Sequence, residues 1–163
     1  YRRQRQMCIR DRLKGMGATL VLFVICGADY AILNIGDSRA YHFNNDALIQ
    51  ITKDHTEGQR MLDLGLLTRK ELSGFPARKN LNRYIGYGQN GYVLQADEYY
   101  PILDNGVMLL CSDGISDYLP DSRISEILHS ANNLESAGKQ LVNEAVASHD
   151  ADNATVMLIP LRR

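Results

Sequence analysis

Strand-length apolar runs come in neighbouring pairs along this chain, and helical patterns lie between or after them instead of alternating with each one. Ala18 to Cys26 is a continuous apolar run that reads as a strand buried on both faces. Asp29 to Ile35 follows as a second strand after the Gly27-Ala28-Asp29 turn. Ala40–Phe43 and Ala47–Thr52 are joined by Asn44-Asn45-Asp46, residues that tolerate turn geometry, so four strands are expected in succession as a meander. From Glu57 the apolar spacing becomes helical, with Met61, Leu62, Leu64 and Leu66 clustered and Gly65 as the C-cap. Thr68 and Glu71 match a capping box for a short second helix. The stretch from Gly74 to Asn90 reads as loop. Gly91 to Ile102 reads as a long strand that turns at Asn105-Gly106 into a hairpin with Val107–Cys111. Asp121 or Ser122 is expected to cap a helix to about Ser130, and Asn133 another to about His149. On the latter, Leu134, Ala137, Leu141, Ala145 and Val146 share a face, and Ala154–Ile159 is the final strand. This order predicts an α+β fold: sheets built from hairpins, with helices layered outside them.

At 163 residues and 45% hydrophobic, the chain is one ordinary domain with room for a real core. A net charge of −1 gives no electrostatic footprint for nucleic acid or a membrane surface. No stretch approaches a transmembrane span, Leu20 to Ile25 being far too short. Cys8, Cys26 and Cys111 form no close pair, and the last two read as small buried hydrophobes in a reducing, cytoplasmic setting. Residues 1–12 carry five arginines and no apolar period. They read as a non-native, adaptor-like leader, with a basic arm for an acidic partner as the other reading. The domain proper is then 13–163.

Two carboxylates carry the chemistry. Val107 to Cys111 runs into Ser112-Asp113-Gly114, so a buried strand ends on an aspartate; Asp152-Asn153 opens the last strand. Hard oxygen donors at the edge of a sheet core suit Mg²⁺ or Mn²⁺. The two lie thirty-nine residues apart, so only tertiary structure can unite them. Asp117 reads first as a helix cap, Arg39 as the partner of a nearby carboxylate, and Asn153 as a turn residue orienting Asp152. His55 reads as an exposed turn residue, and His42, His129 and His149 have no zinc-ligand spacing. Ser38 and Ser112 have no histidine partner at meaningful spacing, which disfavours a serine nucleophile.

Six motifs then fall in order: Lys14-Gly-Met-Gly-Ala-Thr-Leu20, Asn34-Ile-Gly-Asp-Ser-Arg-Ala-Tyr41, Thr52-Lys-Asp-His55, Leu81-Asn-Arg-Tyr-Ile-Gly86, Leu110-Cys-Ser-Asp-Gly-Ile-Ser-Asp117 and Asp152-Asn-Ala-Thr-Val156. Together they resemble the metal-dependent Ser/Thr protein phosphatases of the protein phosphatase 2C type, bacterial branch, from Leu13 to Leu161. The resemblance implies a sandwich of two antiparallel sheets flanked by helices, in an αββα arrangement. It implies that Asp113 and Asp152 ligate a pair of Mn²⁺ or Mg²⁺ ions and that Asp37 helps Asp113 hold a third, weaker one. It makes the stretch at about 54–90 a flap beside the site, where Arg78 and Arg83 could meet substrate. The implied substrates are phosphorylated proteins made by Ser/Thr kinases.

The family's N-terminal features do not appear. There is no acidic residue on a preceding strand, no phosphate-binding arginine and no Asp-Gly-Met-Gly-Gly-His segment; Gly15-Met-Gly17 matches a later strand start instead. The bridging aspartate and the general acid are therefore missing. The expectation is an N-terminally truncated catalytic domain, lacking its first strands and inactive by itself. The alternative is a non-catalytic relative that binds a phosphoprotein or a kinase as a regulator.

Overall fold

Turn-forming residues cut the first half of the chain into two hairpins, and these hairpins belong to different sheets. The computed structural model describes residues 16–27, 29–45, 47–86, 95–101, 105–148 and 152–161. The strands are β1 (Leu20–Cys26), β2 (Asp29–Ile35), β3 (Arg39–Asn44), β4 (Ala47–Gln50), β5 (Asp97–Tyr99), β6 (Gly106–Cys111) and β7 (Val156–Leu161). The helices are α1 (Glu57–Asp63), α2 (Arg69–Leu72), α3 (Asp113–Ser116), α4 (Asp121–Ser130) and α5 (Leu134–Val146). One sheet has the order β1-β2-β5 and the other β4-β3-β6-β7, with every pair antiparallel.

The two sheets face each other. Tyr30 and Ile32 from the first meet Ala40, Met108 and Leu161 from the second in one apolar cluster, with Phe23 stacked on Tyr30. On its other side the four-stranded sheet is covered by helices. Tyr41, Leu109 and Cys111 pack there against Ile115, Ile124, Ile127, Ala137, Leu141 and Ala145. Burial in this layer pushes the Cys111 thiol up to about 12, so it behaves as a small hydrophobe. The helix starts follow local chemistry: Thr68 and Glu71 form the expected reciprocal capping box, and the Asn133 side chain accepts from the Ser136 amide to open α5. Gly65, at φ +67, follows the last turn of α1 as its αL residue.

Several sequence expectations are corrected. The four-strand meander is two hairpins, because the chain leaves the first sheet after Ile35 and joins the second at Arg39. Asn105-Gly106 is a passage between sheets and not a hairpin: β5 pairs with β2, whereas β6 pairs with β3 and β7. The long strand expected over 91–102 is strand at Asp97–Tyr99, and residues 91–94 and 102–104 lie outside the described residues. The first run, expected to be buried on both faces, is the edge strand β1, whose outer face stays exposed at Leu20, Leu22 and Val24; Cys26, expected to be buried, is exposed at its end. Pro120, not Asp121 or Ser122, is the N-cap of α4. On α5, Val146 lies off the buried face, and His149 is outside the described residues.

Candidate functional site

The passage from β2 to β3 puts Gly36, Asp37 and Ser38 in the gap between the two sheets' ends. Gly36 has φ +106, and a Cβ there would come 2.3 Å from Thr19 Cγ2, so no other residue fits without displacing Thr19, just before β1. The Thr19 and Ser38 hydroxyls pair at 2.8 Å. A strap, Thr52–His55, runs alongside. The Ala40 amide donates to Thr52 Oγ1 at 3.0 Å, and the Arg39 guanidinium forks onto both oxygens of Asp54 at 2.8 and 2.7 Å. Arg39 also donates to the Tyr41 hydroxyl at 3.0 Å, so this arginine holds the strap to β3. Burial opposes its charge, but the Asp54 pair outweighs that and raises its pKa.

Asp113 is the first residue of α3, directly after β6. The last β6–β7 pair, Cys111 with Val156, brings the segments that follow and precede these strands side by side. The Ser112 amide donates to the Thr155 carbonyl at 3.1 Å, and the Thr155 amide donates to Ser112 Oγ at 3.0 Å. Gly114 presses on Asn153: a Cβ would meet its carbonyl oxygen at 2.3 Å. The Asn153 amide in turn donates to Asp152 Oδ1 at 2.7 Å, which fixes that carboxylate at the start of the last strand. The structure thus brings the Asp113 and Asp152 loops together at one end of the four-stranded sheet.

Asp37 feels the charge of Asp113. Its carboxyl is pushed up to about 7, first by burial and then by the charge of Asp113, with Asp54 and Asp117 adding to it. Crowded, partly buried carboxylates of this kind are chemically matched to a hard divalent cation, which would relieve their repulsion. Among the described residues no group of three or more His, Cys, Asp or Glu side chains is arranged to hold a metal ion. The fit is therefore that of part of a site.

No family model matches the chain. The serine/threonine phosphatase stp of Listeria innocua serovar 6a is 32% identical over 147 residues, covering 90% of this chain and 58% of its own length. The serine/threonine protein phosphatase PstP of Mycobacterium tuberculosis strain H37Rv is 35% identical over 159 residues, covering 94% of this chain and 29% of its own. The crystal structure of Mycobacterium tuberculosis PstP/Ppp superposes with a TM-score of 0.83 at 30% identity, over 97% of this chain and 66% of that one. The chain belongs to the metal-dependent serine/threonine protein phosphatases of the protein phosphatase 2C type. It spans 58% of the length of the Listeria phosphatase. Another member, the catalytic domain of PstP in complex with two manganese ions, matches at a TM-score of 0.72 and 31% identity.

Around this candidate site the remaining residues singled out in the sequence have defined partners. Asp117 is the C-cap residue of α3 and takes an ion pair from Lys79 at 2.7 Å, which ties the 74–80 loop to the α3 end. Arg83 pairs with Asp97. Arg78 is exposed, and its carbonyl accepts from the Gly58 amide at 3.2 Å. Ser38 and Ser112 bond to Thr19 and to the Asn153–Thr155 segment, not to histidine.

His55 overturns the expectation of an exposed turn histidine: it is 6% exposed. Its Nδ1 accepts from the Gly36 amide at 2.9 Å, and its Nε2 lies 3.0 Å from Asp97 Oδ2. Burial pushes the Asp97 carboxyl up, but hydrogen bonds from His55 and Arg83 outweigh it and hold the group below the ordinary carboxylate range. Asp97 has no local signal in the sequence. Asp54 stands beside His55 in the Thr52-Lys-Asp-His55 motif, but the partners of both lie far off in the chain.

Proposed function

We propose that this chain is the portion of a Mn²⁺- or Mg²⁺-dependent phosphoserine/phosphothreonine protein phosphatase that supplies Asp113 and Asp152 to a two-metal centre. Asp37, beside Asp113, serves a third and weaker metal. Asn153 and Gly114 set the Asp152 and Asp113 loops against each other, Arg39 holds the strap, and Asp117 anchors the flap-like 54–90 segment through Lys79. Arg78 is the flap cation assigned to phosphate attraction, while Arg83 is committed to Asp97.

The observation that carries this reading is the contact of Gly114 with Asn153, which sets the Asp113 and Asp152 loops side by side, and the charge of Asp113 acts on the partly buried Asp37 carboxyl. Carboxylates crowded together in partial burial raise one another's proton affinity, and groups perturbed in this way cluster where function needs them. Bound divalent ions would supply a water of lowered pKa and screen the phosphomonoester dianion, whose uncatalysed hydrolysis is extremely slow. The residues of this chain would orient those ions. Phosphorylated proteins, the products of Ser/Thr kinases, are the substrates on this reading. A cytoplasmic setting fits the free thiols of Cys26 and Cys111. Among the described residues no helix is long and apolar enough to cross a membrane.

The donors among the described residues make part of a site, and on this reading hydrolysis needs further ligands. The test is Mn²⁺-dependent hydrolysis of a phosphothreonine peptide by two proteins. One is the 163-residue chain; the other is a chimaera joining it to the part of the Listeria phosphatase that it does not match. We expect activity in the chimaera alone, abolished by Asp113→Asn. A chimaera that folds and binds the phosphopeptide without hydrolysing it favours the regulatory relative.

A further inference from the structure

The motif Thr52-Lys-Asp-His55 has no part in the metal centre as drawn above, yet it is bonded residue by residue to the passage that carries Asp37. Asn34 Nδ2 donates to the Lys53 carbonyl at 2.9 Å, Arg39 forks onto Asp54, and the Ala40 amide donates to Thr52 Oγ1. At the centre of this seam Gly36 and His55 bond twice. The His55 amide donates to the Gly36 carbonyl at 2.9 Å, and the Gly36 amide donates to His55 Nδ1 at 2.9 Å. We propose that His55 is a positioning residue for Asp37, holding the backbone immediately before it through Gly36 while Asp97 holds the imidazole in the tautomer this requires.

The tautomer follows from donor chemistry. A backbone N–H can only donate, so Nδ1 is the accepting nitrogen and Nε2 carries the proton. That proton points to Asp97, 3.0 Å away. Arg83 pairs with the other oxygen of Asp97 and keeps it ionised and oriented. The relay Arg83–Asp97–His55–Gly36 therefore links β5 and the flap to the residue before Asp37. On the far side of Asp37, Ser38 is fixed by Thr19. With both neighbours pinned, the aspartate has little backbone freedom, which is what a metal ligand needs to hold position within about half an ångström.

The inference rests on the reading of Asp37 as a metal-facing carboxylate. Its test uses the full 163-residue chain and two readouts: amide hydrogen exchange at Gly36, without metal, and Mn²⁺ affinity by electron paramagnetic resonance. His55→Leu fills the volume and removes the acceptor. His55→Asn places its carbonyl oxygen near the Nδ1 position. His55→Gln, whose amide reaches the Nε2 position instead, replaces the leucine variant if circular dichroism shows that variant unfolded. We expect Gly36 exchange to rise about tenfold in His55→Leu, the scale of one lost hydrogen bond, with Mn²⁺ affinity falling several-fold. His55→Asn restores both, and in an Asp37→Asn background His55→Leu no longer changes Mn²⁺ affinity. Unchanged exchange and affinity in folded His55→Leu overturn the proposal. So does a loss of affinity that persists without Asp37. If the unmodified chain binds no Mn²⁺ while Gly36 exchange still responds to His55→Leu, the metal reading fails and the clamp stands.

Discussion

Gly114 and Asn153 show how little separates two aspartate loops held together from two held apart. The Asp113 loop can lie against the Asp152 loop because residue 114 has no side chain: a Cβ would be 2.3 Å from the Asn153 oxygen and 2.8 Å from its carbonyl carbon. Backbone cannot rotate away as a side-chain tip can, so Gly114→Ala must push the two segments apart. We expect it to cost about 2 kcal/mol in urea unfolding, as overpacking does, and to weaken Mn²⁺ binding as well. An alanine variant as stable and as tight as the unmodified chain contradicts this placement. At this scale Asp113, Gly114, Asp152 and Asn153 were legible, since aspartates at strand ends beside Gly and Asn carry their own local signature. His55, Asp54 and Asp97 were not. They are held by Gly36, Arg39 and Arg83, and nothing near them in sequence announces those contacts.

Elements were legible where their stop and start signals are local. The Thr68–Glu71 and Asn133–Ser136 caps and the β1–β2 and β3–β4 hairpins appear as read. Sheet membership was not legible, because Gly36-Asp37-Ser38 and Asn105-Gly106 carry turn residues that serve a hairpin and a passage between sheets equally well. The helix pair α4–α5 gives a test at this scale. Arg123 forks onto Glu144 at 2.8 and 2.7 Å, and with Gln140 this holds the Glu144 carboxyl down at about 2. A depressed carboxyl contributes stability that is full above its ordinary value near 4.5 and is lost as pH falls toward about 2. The pair is about one-third exposed, so the contribution is small. Chemical unfolding across this window should show a shallower acid loss in Glu144→Gln. Identical acid limbs would mean the fork adds nothing to the packing of α4 on α5.

At the scale of the whole molecule, the sandwich is covered unevenly. The four-stranded sheet carries α4 and α5, whereas the three-stranded sheet exposes Leu20, Leu22 and Val24 along one face of β1. An apolar stripe on an edge strand invites association. We expect concentration-dependent self-association in sedimentation velocity, reduced by Leu22→Glu with the fold intact. A chain that stays monomeric at high concentration contradicts it. The α+β order was legible from paired apolar runs and the sandwich was implied by the family resemblance, but the half-bare sheet was not legible: a run such as Ala18–Cys26 looks the same whether one face or two are covered.

The most direct measurement is Mn²⁺ binding to the 163-residue chain, followed by electron paramagnetic resonance, with Asp37→Asn, Asp113→Asn and Asp152→Asn as the comparison set. If the three carboxylates form part of a phosphatase metal centre, the unmodified chain binds Mn²⁺ weakly and saturably, and each substitution weakens binding by about tenfold or more. Affinity unchanged by all three would mean that the cluster gathers acids without holding metal, and the functional reading would fall with it.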